Sequence, residues 1–166
     1  MPAREFVVTA ANQTVQNALS TLIFINPPAA PNVSLEVTRI TISQSANATS
    51  AQQRVQISIQ PTTFPSGGTG IAPLALNRGD TTASVLTSGG AGAAGTAGFN
   101  YTSENGGTKT ALFSDAFNVL NGWLWVPTPE ERIVLPAGFA SGLGVVFPAA
   151  PTTLTGWTFN LFYREV

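Results

Sequence analysis

Trp157-Thr158-Phe159-Asn160-Leu161-Phe162-Tyr163-Arg164 is the stretch whose reading decides the fold of this chain. A β-strand turns successive side chains to opposite faces. Trp157, Phe159, Leu161 and Tyr163 therefore share one face, and Thr158, Asn160, Phe162 and Arg164 share the other. Four large residues in one row predict a central strand that fills a core. The same period recurs upstream. Val55, Ile57 and Ile59 alternate with Gln56, Ser58 and Gln60, and Leu22, Phe24 and Ile25 make a strand stopped by Pro27-Pro28. Val33, Leu35 and Val37 keep one parity, whereas Ile40 and Ile42 keep the opposite one. That phase change predicts a one-residue bulge near Thr38 and Arg39.

Shorter strands follow at close intervals. Residues 117–120 run to Asn121-Gly122, a dipeptide that favours hairpin turns. Residues 123–126 end at Pro127 and Pro129, residues 132–135 end at Pro136-Ala137-Gly138, and residues 143–147 end at Pro148. Many short strands punctuated by Gly and Pro predict an all-β sandwich or barrel. No segment keeps helical apolar spacing over three turns without Gly or Pro. Two regions read as appendages to a single domain spanning residues 13–166. Residues 1–12 read as an N-terminal arm, with Phe6, Val7 and Val8 able to add a strand to a neighbour's sheet. Residues 61–108 read as a long surface excursion, ordered on contact with a neighbour, because residues 88–98 are a glycine-rich run and glycine loses the most backbone entropy on ordering.

The composition says more about partners than about chemistry. The 166 residues include seven Lys and Arg and eight Asp and Glu, giving a net charge of −1 with no His and no Cys. At 9% charged residues, the chain falls far below the roughly 25% of an ordinary soluble domain. Thr, Ser, Asn, Gln, Ala and Gly replace the charges, and these tolerate burial against another protein. The predicted exterior is one that copies of itself or a partner cover. A chain of this length buries roughly 70% of its unfolded surface and needs neither metal nor disulfide to fold. The basic residues are scattered, which argues against nucleic acid as a partner. No apolar run reaches membrane-spanning length. The first residues lack the order of a secretion signal, so synthesis in a cytoplasm is expected, and the sequons at Asn12, Asn32, Asn47 and Asn100 read as chance.

The motifs that mimic function resolve to ordinary structure. Gly90, Gly92 and Gly95 spell a dinucleotide fingerprint with Asp115 twenty residues on, but the mechanism needs a helix opening at the third glycine, and Thr96-Ala97-Gly98-Phe99 reads as loop or strand. Arg78-Gly79-Asp80 reads as a glycine turn. Without His or Cys there is no imidazole base and no nucleophile pair. Glu130-Glu131, the only adjacent acidic pair, reads as a solvated turn opening a strand. No catalytic residue, cofactor site or metal site is therefore assigned. Trp123 and Trp125 share a face, with Leu124 and Val126 on the other. Both faces are apolar, which predicts a strand packed on a core and also against a neighbouring subunit. Phe6, Val7, Val8, Trp123 and Trp125 are the candidate partner contacts.

Residues 131–138 and 142–147, a strand ending at Pro-x-Gly and then a crossing strand, resemble a pattern common in trimeric jelly rolls. Residues 157–165 resemble the closing inner strand of that fold. With the low charge and the Thr, Ala, Gly and Asn-rich body, the chain is similar to the small decoration (cement) and minor structural proteins of tailed bacteriophage virions. The resemblance implies an antiparallel β-sandwich of jelly-roll type, assembled as a homotrimer, made in the host cytoplasm and bound to the major capsid protein on the outside of the shell. It implies no nucleic acid, membrane or enzymatic activity. The competing readings are a host-recognition or glycan-binding module of a tail fibre or baseplate, a small hydrolase relying on Glu130 or Glu131, and a secreted carbohydrate-binding domain.

Overall fold

The computed structural model describes residues 4–47, 49–60, 64–77 and 79–166. Its strands are β1 (Arg4–Gln13), β2 (Ser20–Ile25), β3 (Leu35–Gln44), β4 (Gln52–Ile59), β5 (Thr69–Gly70), β6 (Leu74–Ala75), β7 (Thr87–Ser88), β8 (Thr96–Phe99), β9 (Thr110–Asn118), β10 (Trp123–Trp125), β11 (Ile133–Leu135), β12 (Leu143–Phe147) and β13 (Trp157–Glu165). They form two sheets packed face to face. The front sheet runs β10-β3-β13-β1-β6, with β11 also on β3. The back sheet runs β5-β8-β2-β12-β4-β9, with β7 on β8. The protein is an all-β sandwich.

β13 is the central strand that its alternation predicts. It lies between β1 and β3, antiparallel to both. Trp157, Phe159, Leu161 and Tyr163 point inward and are at most 1% exposed. The Trp157 indole packs against Phe147 of β12 with ring centres 4.9 Å apart, edge to face, and stacks on Phe159 at 6.2 Å. Val55 and Ile57 of β4 and Val145 of β12 complete the facing row. The bulge falls where the parity change puts it: Phe162 pairs with Arg39 and Tyr163 with Val37, so Thr38 is the extra residue. It keeps Val37 and Ile40 both buried.

Three expectations are corrected. Residues 4–12 are not an arm. They form β1, in register with β13 from Arg4↔Glu165 to Ala10↔Phe159, because Phe6, Val8 and Ala10 supply one more inward row. Residues 1–3 of the expected arm lie outside the described residues. The Asn121-Gly122 turn makes no hairpin either. Gly122 has φ +70°, but β9 belongs to the back sheet and β10 to the front, so the turn carries the chain across the sandwich.

The excursion is a real connection between β4 and β9, but it folds back onto the body. β6 extends the front sheet past β1, while β8 and then β5 extend the back sheet past β2. The glycine-rich run is held by close backbone approach. A Cβ at Gly98 would collide with the Tyr101 hydroxyl and sit 2.5 Å from the Gly89 carbonyl oxygen. Glu165, nearly buried, ties the same excursion to β1 and β13. Its carboxylate accepts from Arg4 Nη2 (2.6 Å), Ser84 Oγ (2.6 Å) and the Val85 amide (2.7 Å). The accessible surface of 7618 Å² is close to the ~7,800 Å² of a compact monomer of this mass. Arg78 and residues 61–63 of the excursion lie outside the described residues.

The stacked aromatic row predicts a sharp loss of stability on truncation. Trp157→Ala should destabilise the protein by about 3–5 kcal/mol, read from the shift of the urea midpoint at constant slope.

Candidate interaction surface

The excursion covers one side of the sandwich, where β1 and β2 would otherwise be edges. Among the described residues the opposite side stays open. There β9 ends the back sheet, and β10 and β11 end the front sheet. Phe113 of β9 reaches across the gap to Trp123 and Trp125 of β10, with ring centres 6.3 and 6.4 Å apart. Beside this contact lies a cleft of about 360 Å³ lined by Leu112, Phe113, Trp125, Pro127, Glu131 and Ile133.

The exposed apolar residues of this side form two sets. On the outer surface of the front sheet, Leu124 and Val134 stand opposite Thr41 and Glu36 of β3. Val126, two residues beyond Leu124, continues their row. Leu124, Val126 and Val134 are 64%, 60% and 52% exposed. Around the corner, Leu112 and Phe113 are also exposed, and Leu120 sits in the turn after β9.

The five predicted contact residues fall on both sides of this division. Phe6, Val8 and Trp123 face the core and are 1%, 0% and 7% exposed, so they are corrected from partner contacts to core residues. Their strands alternate, and the inward set is the bulky one. Val7 is half-buried on the outer face opposite Leu74. Trp125 is half-buried at the cleft rim. The free surface belongs instead to Leu124 and Val126, which alternation already set opposite the two tryptophans. Leu112 and Phe113 are absent from the predicted contacts, because the sequence pattern marks this strand only from Phe117 onward. Its first seven residues are exposed on both faces, so they carry no alternating signal.

The cleft lining holds one acid, Glu131, on an otherwise apolar floor, and Asp115 lies two residues past Phe113 on β9. Asp115 Oδ2 accepts from the Trp123 indole N–H (3.0 Å) and Oδ1 from the Ala116 amide (2.7 Å). These two donors, the indole foremost, hold its carboxyl below the ordinary range. Glu130 and Glu131 lie in the 3-10 turn Pro129–Glu131 that precedes β11, confirming a solvated turn. Glu131 accepts from the Thr128 hydroxyl (3.1 Å). Of the basic residues near this side, Arg132 is bonded to Glu36 (3.0 Å) and Lys109 to Glu104. Burial pushes the Lys109 ammonium down to about 8.

The mimicking motifs take ordinary roles. Gly92 and Gly95 adopt positive φ in the loop from β7 to β8, and a strand follows them where a phosphate site would need a helix. Gly79 and Asp80 lie in a turn closed by the Asp80 amide donating to the Asn77 carbonyl (3.0 Å). Among the described residues no three His, Cys, Asp or Glu side chains converge as a metal site, and no helix is long and apolar enough to cross a membrane. Comparison with protein-family models, curated proteins and solved structures found no match.

The Asp115 bridge makes a prediction about pH. A carboxyl with a lowered folded pKa adds stability above its unfolded value of about 3.9, and that stability is lost as pH falls through the lowered value. The Trp123 indole N–H resonance should therefore titrate with a midpoint below 3.9. Asp115→Asn should abolish the titration. A midpoint at or above the unfolded value would remove the bridge.

Proposed function

We propose that this chain is a structural virion subunit: a capsid decoration (cement) protein that binds the outside of the shell as a homotrimer and bridges neighbouring major capsid subunits. One observation carries the reading. Among the described residues, the side of this charge-poor sandwich formed by β9, β10 and β11 exposes an apolar row, Leu124, Val126 and Val134, beside an apolar cleft. Exposed rows of this kind mark interaction surfaces.

The strand order supports the jelly-roll type. β1-β13-β3-β10 faces β2-β12-β4-β9. Successive strands pass between the sheets in pairs, β1 to β2, β3 to β4, β9 to β10 and β12 to β13. Two Greek keys wrapped over each other give this order, and the fold recurs in capsid proteins. Fold alone does not name a function, so the assignment leans on the surface.

The role follows from the physics of that surface. The row on β10 and β11 closes a three-fold contact between copies. A trimer then presents three cleft sides to the shell at once, and multivalency resists the outward separation of shell subunits without strong single contacts. Apolar contacts are also little weakened by salt. On this reading the chain has no catalytic role.

Light scattering on the purified protein should give the mass of three copies. Leu124→Asp with Val126→Asp should give one copy with an unchanged circular dichroism spectrum. The native protein should co-sediment with empty shells of the virus that encodes it, nearly independently of salt. A monodisperse monomer that ignores shells would remove this function and leave the fold intact.

A further inference from the structure

We infer that β9 is a docking edge for an extended segment of a neighbouring, different polypeptide, one with apolar side chains at alternate positions and a cation facing Asp115 and Glu131. The segment adds to the back sheet as its next strand. This deepens the proposal above and rests on its claim that the chain binds a neighbour.

The backbone supplies the first ground. β9 is nine residues long and pairs with β4 alone. Just after it, the Val119 amide donates to the Ala51 carbonyl, on the β4 side (3.0 Å). By the two-residue alternation, Phe117, Asp115 and Phe113 also turn their amides and carbonyls toward β4. Ser114 and Ala116 turn theirs outward. The Ala116 amide bears this out, because its acceptor is the Asp115 side chain. Ser114 thus offers both a donor and an acceptor to an incoming strand. β10 and β11, the front-sheet strands on this side, have three residues each. Among the described residues β9 is the long free edge.

The edge is partly guarded. Leu112 is a bulge opposite β4, since Phe113 pairs with Ile57 and Ala111 with Ser58. The bulge and the Asp115 cap block indiscriminate pairing at each end of the open stretch. They leave the centre, beside the cleft, for a partner that fits. Alternate side chains of an added strand would enter the cleft, the usual source of specificity in strand addition.

Charge selects the occupant. Glu131 lines the cleft, and Asp115 follows Phe113 on the same face of β9. Arg132 and Lys109 are committed to Glu36 and Glu104. Arg54 stands opposite Ala116, on the face of the sheet away from Val55 and Asp115. A second copy paired through its own β9 would bring another Asp115 and another acidic turn against these, and like charges across a ladder are destabilising. A segment carrying Lys or Arg among apolar residues matches both the charge and the floor.

The test uses the full chain and two capped nine-residue peptides of alternating Val and Thr, one with a central Lys and one with a central Glu. Tryptophan emission and the Ser114 amide resonance report binding. The Lys peptide should bind, and the Glu peptide should bind at least about tenfold more weakly. Methylating alternate amides of the Lys peptide should abolish binding, and so should Ser114→Pro in a protein of unchanged circular dichroism. Equal binding of both peptides, indifference to Ser114→Pro and to N-methylation, or no binding of the Lys peptide at about 1 mM would each overturn the inference. Dimers of the native chain that Ser114→Pro dissolves would also overturn it, in favour of a second copy. If Ser114→Pro still sediments with shells, the subunit reading stands and the docking edge falls. If the native chain fails to sediment with them, the subunit reading falls, whatever the peptides do.

Discussion

The inward row of β13 is the constraint on which the rest of the sandwich depends. Trp157, Phe159, Leu161 and Tyr163 fill the space between the sheets, and the strand that carries them is held on both sides by β1 and β3. A one-residue slip would turn all four to solvent. The bulge at Thr38 is the accommodation this demands of β3, whose inner residues change parity halfway along. β12 and β4 provide the opposing floor, and Phe147 meets Trp157 there edge to face.

Everything else follows from how the edges of this body are closed. The connection from β4 to β9 covers the β1 and β2 side, and Glu165 fastens it with three hydrogen bonds to Arg4, Ser84 and Val85. Among the described residues the other side receives no such cover. The first seven residues of β9 run along it exposed, Leu124 and Val134 point outward from β10 and β11, and Val126 lies exposed just past β10. The low charge of the sequence thus has a location. Polar uncharged residues clothe most of the sandwich, and its apolar exposure is densest where one sheet edge and one cleft meet.

Strands with strict alternation were legible in the sequence. Residues 157–164, residues 55–59 and the parity change in β3 gave central strands and the bulge, because one buried face writes itself into every second residue. Three features were not legible. Phe6-Val7-Val8 is too short a run to reveal which partner it pairs with, so β1 read as an arm. The run at 88–98 read as flexible because glycine content reports entropy and does not report a neighbouring backbone that needs the space. Asn121-Gly122 specifies a turn but not the sheet that the next strand joins. The candidate surface was half legible. Alternation placed Leu124 and Val126 opposite Trp123 and Trp125, yet only the three-dimensional arrangement separates the buried face from the free one.

Hydrogen exchange by mass spectrometry, comparing the isolated protein with the shell-bound form, tests the central claim that the β9–β10 side is the one a neighbour completes. The amides of β13 should exchange slowest in both states. New protection on binding should appear at residues 112–116, whereas residues 123–126, already covered in the isolated trimer, should change little. Protection confined to the opposite side, along β5, β7 and β8, or no new protection in a bound sample, would contradict it.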